Sequence, residues 1–244
     1  MNGFFLACVV RHVQETSRLI RLTRFGMINS FLVQEDDGLT LVDTGLAGSA
    51  SGIITAAQRL GSPIRHILLT HAHLDHIGSL DELVRQFPGV GVAIGKRESR
   101  LLRRDFSLDA GESGKKLIGF PGVRSCPTCL LKDGDCVGSL RAVFSPGHTP
   151  GHMAYLDVRD GTLIAGDAFT TQTGIVAAGV FQFYFPFPAL FSWNKERAAE
   201  SARKLCDLKP SRLAVGHGRT IEAPVPAMER AVDLAFRQCG KLLH

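Results

Sequence analysis

The segment LLTHAHLDHIGS, residues 68–79, places three histidines and an aspartate within six positions, directly after an apolar run. Imidazole and carboxylate at that density are donors for a divalent cation. His71 and His73 stand two apart, so a backbone still extended at a strand exit points both rings to one side. Asp75 and His76 follow the turn and approach the same space from another direction. One ion could use His71 and His73 and a second Asp75 and His76, yet a zinc site takes at least three protein ligands, so each pair needs partners from elsewhere. Three further stretches offer them: VFSPGHTPGH carries His148, LIAGDAF carries Asp167 and LAVGHGR carries His217. Each of these donors follows a strand-like apolar run, and the glycine beside it allows the sharp turn and close approach that ligation requires.

Two divalent ions a few ångströms apart share a water, lower its pKa toward neutrality and make it a nucleophile, so hydrolysis needs no serine or cysteine. Asp75 and Asp167 are the carboxylates placed to take part in that chemistry. Five of the seven donors are imidazoles, which favours Zn2+, while the two aspartates leave Mn2+, Co2+ or Fe2+ acceptable.

The elements that must position these residues follow from periodicity. RLIRLTRF (18–25), NSFLVQE (29–35) and LTLVD (39–43) read as antiparallel strands, with EDDG turning between the last two. In SGIITAAQRLGSP (51–63) the residues Ile53, Ile54, Ala57 and Leu60 fall at helical spacing, and Gly61 with Pro63 stops the helix. The strand IRHILLT (64–70) feeds the histidine cluster, and Leu80, Leu83, Val84 and Phe87 share one helix face before Pro88. After VGVAI and a basic helix, residues 105–139 lose periodicity and form an irregular excursion. LRAVFS (140–145), MAYLDV (153–158) and TLIAGD (162–167) return to strand character. NKERAAESARKLCDL is a helix capped by Asn194, RLAVG a short strand, and residues 226–239 the last helix. This order describes one α/β domain over residues 1–244, made of two similar halves.

Composition narrows the class. Of 244 residues, 45% are hydrophobic and 21% charged, which excludes disordered and fibrous chains. The net charge of +5 is scattered; its densest stretch, GKRESRLLRR (95–104), reads as a solvated helix face, and no basic stretch with interleaved aromatics points to nucleic acid. MNGFFLACVVRHVQ lacks the positive lead and cleavage pattern of a secretory signal, and no run is long enough to span a bilayer. The six cysteines, Cys8, Cys126, Cys129, Cys136, Cys206 and Cys239, are irregularly spaced and suggest no disulfide framework, so a reducing cytoplasm and a small-molecule substrate are expected.

Taken together, the motifs resemble the metallo-β-lactamase superfamily over residues 18–235. Its His-x-His-x-Asp-His pattern is matched by His71, His73, Asp75 and His76, its Gly-His-Thr-x-Gly-His setting by His148, its bridging aspartate by Asp167 and its last histidine by His217. The resemblance implies a four-layered αβ/βα sandwich with the metals at one edge, between the halves. It assigns His71, His73 and His148 to one ion, Asp75, His76 and His217 to the other, and Asp167 to both. LTLVDTG (39–45) resembles the family's segment in which an aspartate, here Asp43, holds a ligand histidine by its other ring nitrogen and so fixes its tautomer. His152 is read as supporting rather than ligating; His12, His66 and His244 have no motif context.

The donor types also narrow the branch. The family's di-iron oxygen-reducing members have glutamate where His73 stands, and true metallo-β-lactamases have Cys or Ser where Asp167 stands. Glyoxalase II-like thioesterases carry a helical extension, whereas 27 residues follow His217 here. RNA-processing members carry inserted domains or long arms. The compact carboxylic-ester hydrolases remain, with N-acyl homoserine lactonases the best-known among them, so the expected activity is hydrolysis of an ester or lactone. Those lactonases have a tyrosine three residues after the bridging aspartate; Thr170 stands there, and Tyr184 is the residue that could compensate. Tyr184 belongs to FQFYFPFPALFSW (181–193), a proline-interrupted segment read as a loop over the site, with Thr170, Phe181, Phe183, Tyr184 and Trp193 as pocket residues. CPTC at 126–129, with Cys136 beyond, lacks a fourth ligand and reads as ordinary thiols. A glyoxalase II-like thioesterase, a mononuclear iron persulfide dioxygenase and a non-catalytic metal-containing sensor stay open as alternatives. So does a homodimer.

Overall fold

Runs of apolar residues on both faces of a strand demand cover on both sides, and the chain meets that demand with layers. The computed structural model describes residues 10–240; the amino-terminal apolar stretch with Cys8, and His244 at the other end, lie outside them. Seven strands form the first sheet in chain order: β1 (Val10–Gln14), β2 (Leu19–Arg24), β3 (Ile28–Gln34), β4 (Leu39–Val42), β5 (Ile64–Leu69), β6 (Gly91–Gly95) and β7 (Cys129–Leu131). They are antiparallel up to β4 and parallel from β4 onward. The second sheet holds β8 (Cys136–Val137), β9 (Leu140–Phe144), β10 (Met153–Asp157), β11 (Thr162–Ile164), β14 (Arg212–Ala214) and β15 (Ile221–Glu222), with β11 and β14 its one parallel pair. A small ribbon joins β12 (Phe169–Thr170) and β13 (Val176–Ala177).

Helices cover the outer faces. α1 (Ala50–Leu60) ends at Gly61, whose left-handed φ of 64° closes the helix as glycine does most readily. Short turns α2 (Leu74–Ile77) and α4 (Ser99–Leu102) flank α3 (Leu80–Gln86), and α5 (Phe187–Phe191) precedes α6 (Lys195–Asp207) and α7 (Val225–Gln238). Asn194 caps α6, its side-chain oxygen accepting from the amides of Glu196 and Arg197.

Three apolar clusters mark the three interfaces of four layers. Ile53 and Ala57 of α1 and Leu80 and Leu83 of α3 pack with Leu41, Ile67 and Leu69 on the outer face of the first sheet. Leu68 lies between the last two in sequence, so it faces the other way, joining Phe31 and Val42 against Ala142, Tyr155 and Ile164 of the second sheet. Leu205 of α6 and Met228 and Val232 of α7 close the far side over Leu156, Leu163 and Leu213. The result is the helix–sheet–sheet–helix sandwich expected from the motifs. Tyr155, fully buried between the sheets, donates its hydroxyl to the Leu69 carbonyl at 2.8 Å, fixing the end of β5 where the histidine cluster begins.

Several short elements differ from expectation. The stretch read only for a signal contributes β1, and residues 105–139 contain β7 and β8, three and two residues long. Strands that short hold no period to detect. The basic helix contracts to the four residues of α4. Among the described residues no helix is long and apolar enough to cross a membrane.

Candidate metal centre

Four strands end at the same edge, and each delivers a donor. His71 follows β5, His148 follows β9, Asp167 follows β11 and His217 follows β14, while His73 caps α2, which carries Asp75 and His76. Glycine is needed at one point of this convergence. A Cβ on Gly216 would lie 2.2 Å from Asp167 Oδ1, so any side chain there would displace the carboxylate.

The donors form two nests that share Asp167. His73 Nδ1 lies 3.0 Å from His71 Nε2 and 3.0 Å from His148 Nε2, which makes a group of three imidazoles. Beside it His217 Nε2 lies 3.3 Å from Asp75 Oδ2 and joins His76 and Asp75 in a second group. Asp167 Oδ2 reaches His148 Nε2 at 3.4 Å and His217 Nε2 at 3.2 Å, and its Oδ1 reaches His76 Nε2 at 3.4 Å. All seven residues singled out by type and spacing stand here.

Each ring is oriented by what its other nitrogen touches. His76 Nδ1 donates to Asp43 Oδ2 at 2.8 Å, and Asp43 also accepts from the Thr70 amide and hydroxyl. Asp43 does so from a left-handed backbone, φ 60°, a conformation that aspartate adopts more readily than most side chains. The Thr70 hydroxyl, having donated to Asp43, accepts from His71 Nδ1 at 3.0 Å. His217 Nδ1 donates to the Met27 carbonyl at 2.9 Å, and His148 Nδ1 meets Ser192 Oγ at 3.2 Å. The other ring nitrogens therefore turn inward, toward the space a cation would occupy.

His152 supports the site without joining it. Its Nε2 accepts from the Asp167 amide at 3.2 Å and its Nδ1 pairs with Ser145 Oγ at 2.9 Å. His12 and His66 sit on β1 and β5, away from the cluster. Glu98 escaped the sequence reading altogether. It lies inside the stretch read as a solvated basic face, yet it is fully buried, accepting from the amides of Ala72 at 2.9 Å and Gly151 at 3.0 Å and from the Thr149 hydroxyl at 2.8 Å. It thus braces the HAH loop against the GHTPGH loop. A single acid between arginines carries no sequence signal of that role.

Left to protons alone, the two nests behave oppositely. Burial holds His71 and His148 well below the ordinary histidine value and His73 at about 4. Burial opposes charge on His76 and His217 too, but Asp167, Asp43 and Asp75 outweigh it, raising His76 well above the usual value and His217 to about 10. Desolvation opposes charge on the partly buried Asp75 and the buried Asp167, yet those same two histidines hold both below the carboxylate range.

A cavity of about 320 Å3 opens over the donors. His73, Asp75, His148, Asp167 and His217 form its floor; Met27, Ile28, Leu46, Leu74, Gly119, Phe185, Phe187, Pro188 and Phe191 form its wall. This corrects the expected pocket. Phe181, Phe183 and Tyr184 are turned to solvent, the last two 80% and 88% exposed, so Tyr184 does not replace the missing tyrosine. Trp193 is 4% exposed and packed where a Cβ on Gly114 would sit 2.3 Å from its ring nitrogen. Thr170 is buried, its hydroxyl donating to the His217 carbonyl at 3.0 Å. The right segment carries the wall, but through other residues, because α5 forms despite its prolines and sets Phe187 and Phe191 four apart on one face. Cys126, Cys129 and Cys136 are exposed free thiols, and none joins a donor group among the described residues.

Comparison with known proteins agrees with this architecture. The pattern described as the metallo-beta-lactamase superfamily matches residues 23–217. The chain belongs to the metallo-β-lactamase superfamily. Within the superfamily it is 49% identical over 210 residues to "Uncharacterized protein YobT" of Bacillus subtilis (strain 168), covering 85% of this chain and 90% of that one. It is 33% identical over 207 residues to "Probable metallo-hydrolase YflN" of the same organism, covering 77% and 78%. A "Hydroxyacylglutathione hydrolase" of Legionella pneumophila (strain Corby) is 33% identical over 138 residues, covering 55% of this chain and 46% of that protein. In fold it matches the "Metallo-beta-lactamase from Pontibacter korlensis" with a TM-score of 0.70 at 16% identity, over 93% and 99% of the two chains.

The donor set of this superfamily member fits divalent cations on its own geometry. His76 Nε2 and Asp167 Oδ1 are buried without a hydrogen-bond partner, and both face the shared space. Such orphaned buried atoms are costly unless a ligand satisfies them.

Proposed function

We propose that the protein is a metal-dependent hydrolase that cleaves a carboxylic ester or lactone of a small molecule, with two divalent cations held in the paired nests. The observation that carries this reading is the Asp167 carboxylate, which reaches both groups of donors while its Oδ1 lacks a hydrogen-bond partner. His71, His73 and His148 would hold one cation, Asp75, His76 and His217 the other, with Asp167 in reach of both groups; Zn2+ suits so imidazole-rich a set. Bound there, such cations would supply a water-derived nucleophile near neutral pH and positive charge at the carbonyl oxygen.

The chain's own residues do the rest. Asp75, on the cavity floor and a quarter exposed at its carboxylate, accepts the proton of the attacking water and returns it to the leaving alcohol. Asp43 and the Met27 carbonyl keep His76 and His217 in the tautomer that faces inward. The apolar wall excludes bulk water from the scissile bond. A thioesterase is the second reading, favoured by the likeness to the protein named hydroxyacylglutathione hydrolase.

The test is turnover of lactones, aryl esters, thioesters, phosphodiesters and a β-lactam by the zinc-loaded protein, with Asp167→Ala in parallel. Ester or lactone cleavage that vanishes in the variant is the result expected. Thioester cleavage alone would select the second reading, and no activity above the variant would remove both.

A further inference from the structure

The wall of the cavity says what the substrate carries beside its scissile bond. Above the donors every lining side chain is aliphatic, aromatic or the thioether of Met27, and among the described residues that line the cavity there is no lysine, arginine, side-chain hydroxyl or side-chain amide. A charged or strongly polar group moved from water to such a wall loses its hydration and gains no partner. An aliphatic group gains instead, at about fourfold in affinity for each methylene buried.

The apolar surface does not stop at the cavity. Leu74 and Phe187 line it and are also 46% and 54% exposed, and Leu190, one turn from Phe187 on α5, is exposed beside them. Large apolar side chains left open around a site mark a surface that a ligand covers. Building on the hydrolase reading above, we propose that the substrate is an ester or lactone whose acyl part is an uncharged hydrocarbon chain, which fills the cavity and lies over the lip formed by Leu74 and Phe187. The same wall offers no partner to the two carboxylates of a glutathione thioester or to an acyl group that ends in a carboxylate, so this substrate class stands against the thioesterase reading.

The zinc-loaded protein is assayed with p-nitrophenyl esters from acetate to dodecanoate, and with the half-ester of octanedioic acid beside the octanoate. We expect kcat/KM to climb about fourfold per methylene until the cavity is full, and the carboxylate-ended ester to fall at least 100-fold below the octanoate. Phe187→Arg should narrow that gap at least tenfold. A flat series, or a half-ester cleaved as well as the octanoate, overturns the inference while leaving the hydrolase reading intact. Calorimetric titration with octan-1-ol and with 8-hydroxyoctanoate reads the wall without any turnover. Tighter binding of the alcohol, weakened by Phe187→Arg, supports the inference even if no ester is cleaved. Equal binding of the two overturns it.

Discussion

Three imidazoles whose burial disfavours the charged form make one half of the centre, and two carboxylates that favour charge on two further imidazoles make the other. His71, His73 and His148 already stand in the form that binds a cation, because burial strips their protons. His76 and His217 hold theirs, because Asp43, Asp75 and Asp167 surround them with negative charge. On the two-cation reading, a metal entering the first nest would displace nothing, while one entering the second would release protons, so the second should fill later and more tightly as pH rises. The same fold edge therefore offers two sites of different character, joined by one carboxylate.

Removing that carboxylate has the largest effect. Asp167→Ala leaves each nest with three donors and no link, and ester turnover by the zinc-loaded protein should fall by about 100-fold or more. Zinc content, measured on the same sample, should drop from two ions toward one. Full occupancy with turnover intact would break the idea that the two nests work as a unit.

The next pair of variants separates the halves. His217→Ala should keep one tightly held zinc at pH 7, in the three-imidazole nest, whereas His148→Ala should lose the tight site and keep only a weaker one. Zinc titration against a competing chelator reads the difference. Identical losses in the two variants would mean that the contrast in charge does not set the order of filling.

The braces behind the ligands divide in the same way. Asp43 acts on His76, and Glu98 acts on the loops that carry His71, His73 and His148. Losing a partner of this kind costs about 10-fold to 100-fold in metal affinity. Asp43→Asn should weaken the second nest and spare the first. Glu98→Gln, which turns one acceptor oxygen into a donor facing donors, should do the reverse. Circular dichroism at 25 °C separates either effect from unfolding.

Why Asp43 could be read from the chain and Glu98 could not is a matter of locality. His71, His148, Asp167, His217 and Asp43 each come shortly after a strand that the sequence shows, and His73, Asp75 and His76 share one short motif with His71, so the strand announces the turn and the turn announces the residue. The layering came from the family resemblance, and the unbroken apolar run Ile67, Leu68 and Leu69 fits it, since the structure buries Ile67 and Leu69 on one face of β5 and Leu68 on the other. Glu98 is buried only because two loops distant in sequence close over it, and nothing within ten residues reports that. The cavity wall failed similarly: Tyr184 and Phe187 are three apart in one aromatic run, and the path of the chain through Pro186 decides which faces the donors.

The smallest effect is the most direct comparison of the halves, because it uses the chain without metal. His73 titrates near 4 when folded and near the ordinary 6.5 when unfolded, and His71, His148 and His152 are lowered as well. Below pH 6.5 the unfolded chain takes up protons that the folded chain refuses, so stability falls as pH drops toward 4. Glu98, raised to about 7 by burial, works against this between 4.5 and 7, but one carboxyl opposes four imidazoles. His217, raised to about 10, has the other sign. Between pH 6.5 and 10 the folded chain keeps a proton that the unfolded chain has lost, so this contribution is complete below 6.5 and disappears as pH rises through 10. Urea midpoints of the metal-free protein at pH 5, 7 and 9.5 should therefore peak near neutrality. His148→Ala should flatten the acid limb and leave the alkaline one, and His217→Ala should do the opposite. Limbs that respond alike to both variants would show that the two nests share a single electrostatic environment.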